Sequence, residues 1–177
     1  MAVFDEVKAT FWGEGTYGVQ PPLTDAAVQV AERQLGVRLP ASLIEILLVQ
    51  NGGPVAEAWN AFPTDEPTSW SENHVPLDAL MGIGRHEGQL SLLDSAYLIE
   101  EWALPSALVL LSGDGHSWIA LDYRTCGNDG EPSVTWFDAD DRTEVPLATD
   151  FAAFVGRLTS DSSFDLQQRR DTDQSVL

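Results

Sequence analysis

The chain has 177 residues, with 28 acidic side chains against 9 lysines and arginines, so its formal net charge is −19. This length suits one domain with a substantial core, and a hydrophobic content of 44% with six tryptophans argues against overall disorder. The charge excludes nucleic acid and anionic membranes as expected partners, because no basic patch is present to neutralise phosphates. It favours either simple solubility or association with a basic protein.

The N-terminal region and the cysteine content indicate the expected compartment. Cys126 is the single cysteine, so an internal disulfide is impossible. The first residues lack a basic region followed by an apolar run, and no stretch approaches the ~20 apolar residues of a membrane span. We therefore expect a cytoplasmic protein.

The first part of the chain predicts helices with clear boundaries. After a short helical lead-in, Thr24 suits the N-cap of a helix that Gly36 ends. Pro40 suits the first turn of a second helix, and Asn51-Gly52-Gly53 suits its end, since these residues tolerate left-handed backbone angles. Apolar residues recur at helical spacing in the lead-in (Val3, Phe4, Val7 and Phe11) and in the first of the two helices (Ala27, Val30, Ala31 and Leu35). The expected buried face of the second helix is Leu43, Ile44, Leu47 and Leu48.

The middle of the chain is mixed. Residues 54–73 combine tryptophans, prolines and acids, which is typical of a short strand followed by a surface loop. Residues 75–84 predict a strand with a turn, and residues 90–102 have helical spacing. The expected inner positions of that helix are Leu92, Leu93, Ala96 and Ile99.

Strand signals dominate after Pro105. Apolar runs predict strands at 107–111, 118–123, 134–137 and 144–147, separated by polar turns. Thr149 or Asp150 then caps a last helix, whose buried face is expected to comprise Phe151, Phe154, Val155 and Leu158. This order predicts an α+β fold, with a mainly antiparallel sheet, helices packed on it and a closing C-terminal helix. We expect one domain over residues 1–160 and a polar flexible tail over 161–177.

No pattern in the sequence marks a catalytic or metal centre. His74, His86 and His116 fall in different predicted loops, so a zinc site would require tertiary coincidence. The run Asp138-Ala139-Asp140-Asp141 resembles the start of a calcium loop but lacks the required glycine at position six, which favours an acidic hairpin turn. His116 and Ser117 would point to opposite faces of a strand, so they do not pair as base and nucleophile. We therefore expect no enzyme activity, metal or cofactor.

Long acidic stretches contain no lysine or arginine at all. This holds between Arg38 and Arg85, between Arg85 and Arg124, and from 129 to 141. Such stretches are usually solvated surface, but two of them also carry aromatic side chains, which protein interfaces favour as anchors inside a polar rim. The predicted partner-binding residues are Asp65, Glu66, Trp70, Glu72, Asp138, Asp140 and Asp141.

The first half of the chain contains Leu35-Gly36-Val37-Arg38-Leu39-Pro40, then an apolar helix and Asn51-Gly52-Gly53. In these segments the chain resembles the SUKH superfamily. Backbone geometry accounts for the glycines, the proline and the asparagine in these segments, so they are not predicted as binding residues.

The second half continues the resemblance in the same order. Asp114-Gly115 and the strand at 118–122 are similar to the central hairpin of the superfamily, and residues 134–138 to its next strand. The segment Asp150-Phe151 with Phe154 and Leu158 resembles the closing helix of the superfamily. The resemblance covers residues 23–158, and residues 59–73 and 90–102 depart from it.

This superfamily includes fungal cell-wall regulators and many bacterial immunity proteins. The resemblance implies an α+β fold and a non-catalytic binding role. Bacterial members commonly neutralise polymorphic toxins, many of which are basic because they act on nucleic acids, and an acidic protein suits such a partner. The favoured hypothesis is an immunity protein that binds a cognate toxin domain, such as a basic nuclease. The alternative is a cytoplasmic scaffold or regulatory module with several weak partners.

Overall fold

The structure is a computed structural model that describes residues 3–165. Its helices within that range are α1 (Phe4–Thr10), α2 (Asp25–Leu35), α3 (Ala41–Val49), α4 (Ser95–Glu101) and α5 (Phe151–Gly156). Its strands are β1 (Gly53–Pro54), β2 (Ala61–Pro63), β3 (His74–Pro76), β4 (Ala79–Leu80), β5 (Leu108–Gly113), β6 (Ser117–Asp122), β7 (Ser133–Asp138) and β8 (Glu144–Ala148). Short 3-10 helices lie at Glu57–Trp59 and Leu92–Asp94.

The centre of the fold is a four-stranded antiparallel sheet in the order β5-β6-β7-β8. Shorter antiparallel pairs join β1 to β4 and β2 to β3. The four strands predicted after Pro105 are confirmed within two residues, and the α+β fold class is confirmed. Because neighbouring strands run in opposite directions, the β5–β6 and β7–β8 turns share one end of the sheet. The β6–β7 loop lies at the other end.

Local capping chemistry sets the helix boundaries as predicted. The Thr24 hydroxyl oxygen accepts a hydrogen bond from the Ala27 N–H at the start of α2. Gly36 ends that helix with φ 71°, a left-handed conformation. The Asp150 carboxylate accepts from the Ala153 N–H at 2.8 Å, so Asp150 caps α5.

The core joins the helices to the sheets. Phe62 from β2 stacks on Phe154 from α5, with ring centroids 5.0 Å apart. All four positions predicted to be buried on the closing helix are buried. On α2 and α3 the predicted faces are too wide, since Val30 and Leu48 are more than half exposed. Ile46 is buried in place of Leu48, because each helix contacts the core along a narrow stripe only.

On α4 the predicted face is displaced. Ala96 is exposed, and Leu98 is buried instead. The helical segment begins with a 3-10 turn, which has fewer residues per turn than an α-helix and therefore rotates the face that follows it.

The segment after α3 is held by one buried side chain. Asn51 donates from Nδ2 to the carbonyls of Pro21 (2.7 Å) and Ile83 (2.8 Å). Its Oδ1 accepts from the Ile83 N–H at 2.8 Å. Asn51 therefore joins the lead-in, the end of α3 and the segment after β4.

The described chain ends against the β2–β3 pair. The Asp161 N–H donates to Asn60 Oδ1 at 2.9 Å, and the Phe164 ring stacks on His74 with centroids 4.4 Å apart. Residues 166–177, which form most of the predicted flexible tail, lie outside the described residues. Across residues 3–165, no helix combines the length and apolar character required to cross a membrane.

Candidate partner-binding surface

The loop between β2 and β3 carries the first predicted acidic cluster. Asp65, Glu66 and Glu72 are exposed, and none of them takes part in a hydrogen bond or ion pair within residues 3–165. Trp70, in the same loop, is 49% exposed. Four residues of this loop therefore present charge and aromatic surface to solvent.

Internal hydrogen bonds give the loop its shape. The Thr64 N–H donates to the Asn73 carbonyl at 2.8 Å, and the Thr68 N–H donates to the Ser71 carbonyl at 2.8 Å. The Ser71 hydroxyl donates to the His74 carbonyl at 2.7 Å and accepts from the His74 N–H at 3.0 Å. These short polar side chains satisfy the backbone of an irregular segment.

A second contact joins this loop to the sheet. The Ser69 hydroxyl donates a hydrogen bond to the Asp138 carboxylate at the end of β7. The other oxygen of Asp138 accepts from the N–H groups of Asp140 (2.8 Å) and Asp141 (3.0 Å). Asp138 is buried, so its role here is to hold the loop and the turn in place.

The remaining acids of the second cluster lie in the β7–β8 turn. Asp140 is exposed and contacts His116 Nδ1 through one carboxylate oxygen at 2.9 Å. Asp141 is exposed and accepts from the N–H and hydroxyl of Thr143. The Asp140–His116 contact connects the β7–β8 turn to the β5–β6 turn. The acidic hairpin turn that the sequence predicts is present here.

The two clusters predicted separately from the sequence therefore meet at one end of the sheet. Ser69 links the loop to Asp138, and Asp140 links the turn to His116. We call this surface the acidic edge; its exposed members are Asp65, Glu66, Trp70, Glu72, Asp140 and Asp141.

A cavity of about 100 Å³ opens beside Trp70 at the same end of the sheet. We call it the Trp70 groove; its lining includes Trp70, Pro76, Asp78, Asp114, Trp118 and Trp136. Trp118 and Trp136 are buried on the central strands, whereas Asp78 and Asp114 are exposed. Trp136 pairs with Ile119 and therefore lies on the opposite face of the sheet from the neighbouring Trp118 side chain. The groove thus combines the Trp70 and Trp136 side chains with two carboxylates.

The carboxylates of this region have different electrostatic environments. Burial alone would raise the pKa of Asp138, but the Ser69 hydroxyl and two backbone N–H groups outweigh it and hold the pKa below its usual range. Asp78 is exposed overall, yet surrounding atoms desolvate its carboxyl, and Asp161 and Asp114 add negative potential. These effects raise the pKa of Asp78.

Sequence patterns singled out Trp70 but not the two groove carboxylates. Asp78 precedes the two-residue strand β4, and Asp114 lies in the β5–β6 turn, so both look like ordinary surface acids. Tertiary packing brings Asp78 and Asp114 close to Trp70, and the spacing of these residues in the sequence does not predict it.

The described residues contain no grouping of three His, Cys, Asp or Glu side chains suited to a metal ion. His116 donates from its backbone N–H to Asp114 Oδ1 and contacts Asp140 through its ring. The Nδ1 atom of His116 is thus in contact with the Asp140 carboxylate of the neighbouring turn. The chemistry of this region is that of charge, hydrogen bonding and aromatic contact.

Comparison with known families agrees with this fold. The chain matches the SMI1 / KNR4 family (SUKH-1) over residues 22–157, which covers the segment from the start of α2 through α5. The protein belongs to this family, and the resemblance drawn from the residues is confirmed. A search of curated proteins finds no match.

Proposed function

We propose that this chain is a cytoplasmic, non-catalytic immunity protein that binds and neutralises one cognate toxin domain through the acidic edge. The toxin is expected to be basic, as nucleases and other nucleic-acid-acting toxins are. Membership of the SUKH-1 family is consistent with an interaction role of this kind. The observation that carries the proposal is the convergence of two acidic clusters around the exposed Trp70.

The charge of the acidic edge supports a basic partner. The exposed carboxylates of Asp65, Glu66 and Glu72 have no cation against them among the described residues. Fields of one sign accelerate association with a partner of opposite charge, and salt weakens them over a Debye length of about 8 Å at physiological ionic strength. A toxin surface built to bind phosphates would complement this edge.

The exposed ring of Trp70 supplies the apolar part of the proposed interface. Interfaces concentrate their binding energy in a few aromatic or arginine side chains surrounded by a polar rim. Trp70 has this setting, because its loop presents Asp65, Glu66 and Glu72 around it. The hydrogen bond from Ser69 holds that loop before the partner arrives, which lowers the entropy cost of binding.

The experiment is capture from a lysate of the source organism, with the full chain as bait and elution along a salt gradient. We expect one basic protein in equimolar amount, released as the salt rises. The toxicity of the captured partner is then measured in cells with and without this chain. We expect the chain to protect the cells.

Charge-reversed baits test the surface itself. The variant D65K/E66K changes the acidic edge, and the matched variant D129K/E131K makes the same charge change in the β6–β7 loop at the opposite end of the sheet. We expect only the first to slow association and lose capture. Equal capture by both baits would reject the acidic edge, and several weak partners in place of one would favour a scaffold or regulatory module.

A further inference from the structure

The Trp70 groove has the composition of a site for a cationic side chain. Its outer residue, Trp70, leaves about half of its surface to solvent, while Trp136 in the same lining is buried. None of its lining residues is basic. The face of an indole ring attracts a cation, and most strongly where water is partly excluded.

The carboxylates of the groove are available to a ligand to different extents. Asp78 has no hydrogen-bond donor to its carboxylate among the described residues. Asp114 uses Oδ1 to accept from the N–H groups of His116 and Ser117, both at 2.9 Å, which leaves its second oxygen outside these bonds. Two neighbouring carboxylates without a cation repel each other, so a positive group between them would be stabilised.

An unsatisfied donor gives a second, independent indication of a ligand. Trp136 is 1% exposed, it lines the groove, and its indole N–H finds no acceptor within residues 3–165. A buried N–H without a partner is rare in folded proteins because its desolvation is costly. A ligand that brings an uncharged oxygen, such as a peptide carbonyl, would satisfy it.

We propose that the Trp70 groove binds an arginine side chain together with the peptide carbonyl beside it. The guanidinium lies on the Trp70 ring and donates to Asp78 and Asp114, and the carbonyl accepts from Trp136. Arginine suits this site better than lysine because its planar group stacks on aromatic rings and donates to two carboxylate oxygens at once. This inference rests on the proposed function, in which the arginine belongs to the basic partner.

The test uses the full chain and a small probe, so it does not require the toxin. The probe acetyl-Gly-Arg-Gly-amide is titrated into ¹⁵N-labelled protein, and the indole N–H signals of the six tryptophans are followed. The same peptide with citrulline has nearly the same shape without the charge. We expect saturable shifts of the Trp70 and Trp136 signals, and about tenfold weaker binding of the citrulline peptide.

Variants locate the binding. We expect about tenfold weaker affinity in D78N and in W70L, both at exposed positions, and unchanged affinity in D129N, which removes one charge at the other end of the sheet. Equal binding of the two peptides, equal loss in D129N, or no saturable shift would each overturn the inference. The chain has its own adjacent arginines, Arg169 and Arg170. Binding that appears only in R169Q/R170Q would assign the groove to them and reject a partner arginine.

The two proposals fail in different ways. Peptide binding without capture of a basic partner would reject the immunity function and leave the arginine specificity of the groove intact. Capture of a partner that D78N and W70L bind as tightly as the unmodified chain would reject the groove and leave the immunity function intact.

Discussion

The Ser69 hydroxyl donates a hydrogen bond to the Asp138 carboxylate, and this contact joins a loop to a strand end that lies 69 positions further along the chain. It places Trp70 beside the central sheet. A loop of this length would otherwise sample many conformations, at an entropic cost to any partner that must order it. The position of Trp70 therefore depends on the hydrogen bond between Ser69 and Asp138, in which Trp70 itself takes no part.

Replacing Ser69 by alanine tests that dependence. S69A is expected to lower the free energy of unfolding by only about 1 kcal/mol, because Ser69 is exposed and water replaces part of the bond. It should also raise the pKa of Asp138, since a hydrogen bond to the ionised form is lost. NMR titration of the Asp138 carboxyl and urea unfolding measure both effects.

The control for this variant is S106A. Ser106 is exposed and makes no side-chain hydrogen bond among the described residues. We expect S106A to leave the pKa of Asp138 and the Trp70 indole signal unchanged. An unaltered Asp138 pKa in S69A would contradict the role assigned to the Ser69 hydroxyl.

An ion pair between Asp122 and Arg124 makes stability depend on pH. Burial would raise the pKa of Asp122, but Arg124 donates to both of its oxygens and outweighs it, so the pKa is lowered. Arg124 also contacts Glu144 at 3.1 Å and therefore joins β6 to β8. A carboxyl whose pKa is lower in the folded chain stabilises the fold above its unfolded pKa of about 3.9.

D122N should therefore be less stable than the unmodified chain near neutral pH, by about 1–3 kcal/mol. The difference should shrink as the pH falls through the lowered pKa of Asp122, because the protonated acid also lacks the charge. Urea unfolding from pH 7 to pH 2 gives this profile, with D129N as the reference for general loss of charge. A pH-independent difference would show that packing, and not the ion pair, is responsible.

Asn51 should be among the most sensitive polar positions. Asn51 to leucine removes three hydrogen bonds and leaves the buried carbonyl and N–H of Ile83 without this partner. Each unsatisfied buried group costs about 1–3 kcal/mol, so we expect a loss of about 3 kcal/mol or more. N128L, at an exposed asparagine, should change the unfolding free energy by less than about 0.5 kcal/mol. Similar losses in both variants would contradict a specific role for Asn51.

The sequence predicted what short-range chemistry controls. Thr24 and Gly36 act on backbone groups within a few residues, so their capping roles follow from residue type alone. At the closing helix residue type left Thr149 and Asp150 as candidates, and the structure identifies Asp150 as the cap. Strand positions followed from apolar runs between turns. The exposure of Val30 on α2 and Leu48 on α3 could not be predicted from the sequence. Both residues are apolar, and their burial depends on how much of each helix the rest of the protein covers.

The candidate site was predictable only in part. The composition of the loop was enough to predict Trp70 and the neighbouring acids as binding residues. The contact between their loop and Asp138 was not predicted, because it is made by a single serine, Ser69, in an irregular segment. Asp78 and Asp114 reach the groove from different strand pairs. No period or spacing relates such positions, because tertiary packing alone brings them together.

Two glycines of the family resemblance should differ sharply when replaced. Both have positive φ, 71° at Gly36 and 86° at Gly52. A Cβ at Gly36 would meet nothing within 4 Å, whereas at Gly52 it would lie 2.6 Å from the Gly82 nitrogen and 2.7 Å from the Gly18 carbonyl oxygen. We expect G36A to cost about 1 kcal/mol for backbone strain alone. G52A should cost about 3 kcal/mol or more, because backbone atoms that cannot move aside are in the way. Thermal and urea unfolding compare the two, and equal losses would mean that the backbone around Gly52 yields to the added methyl group.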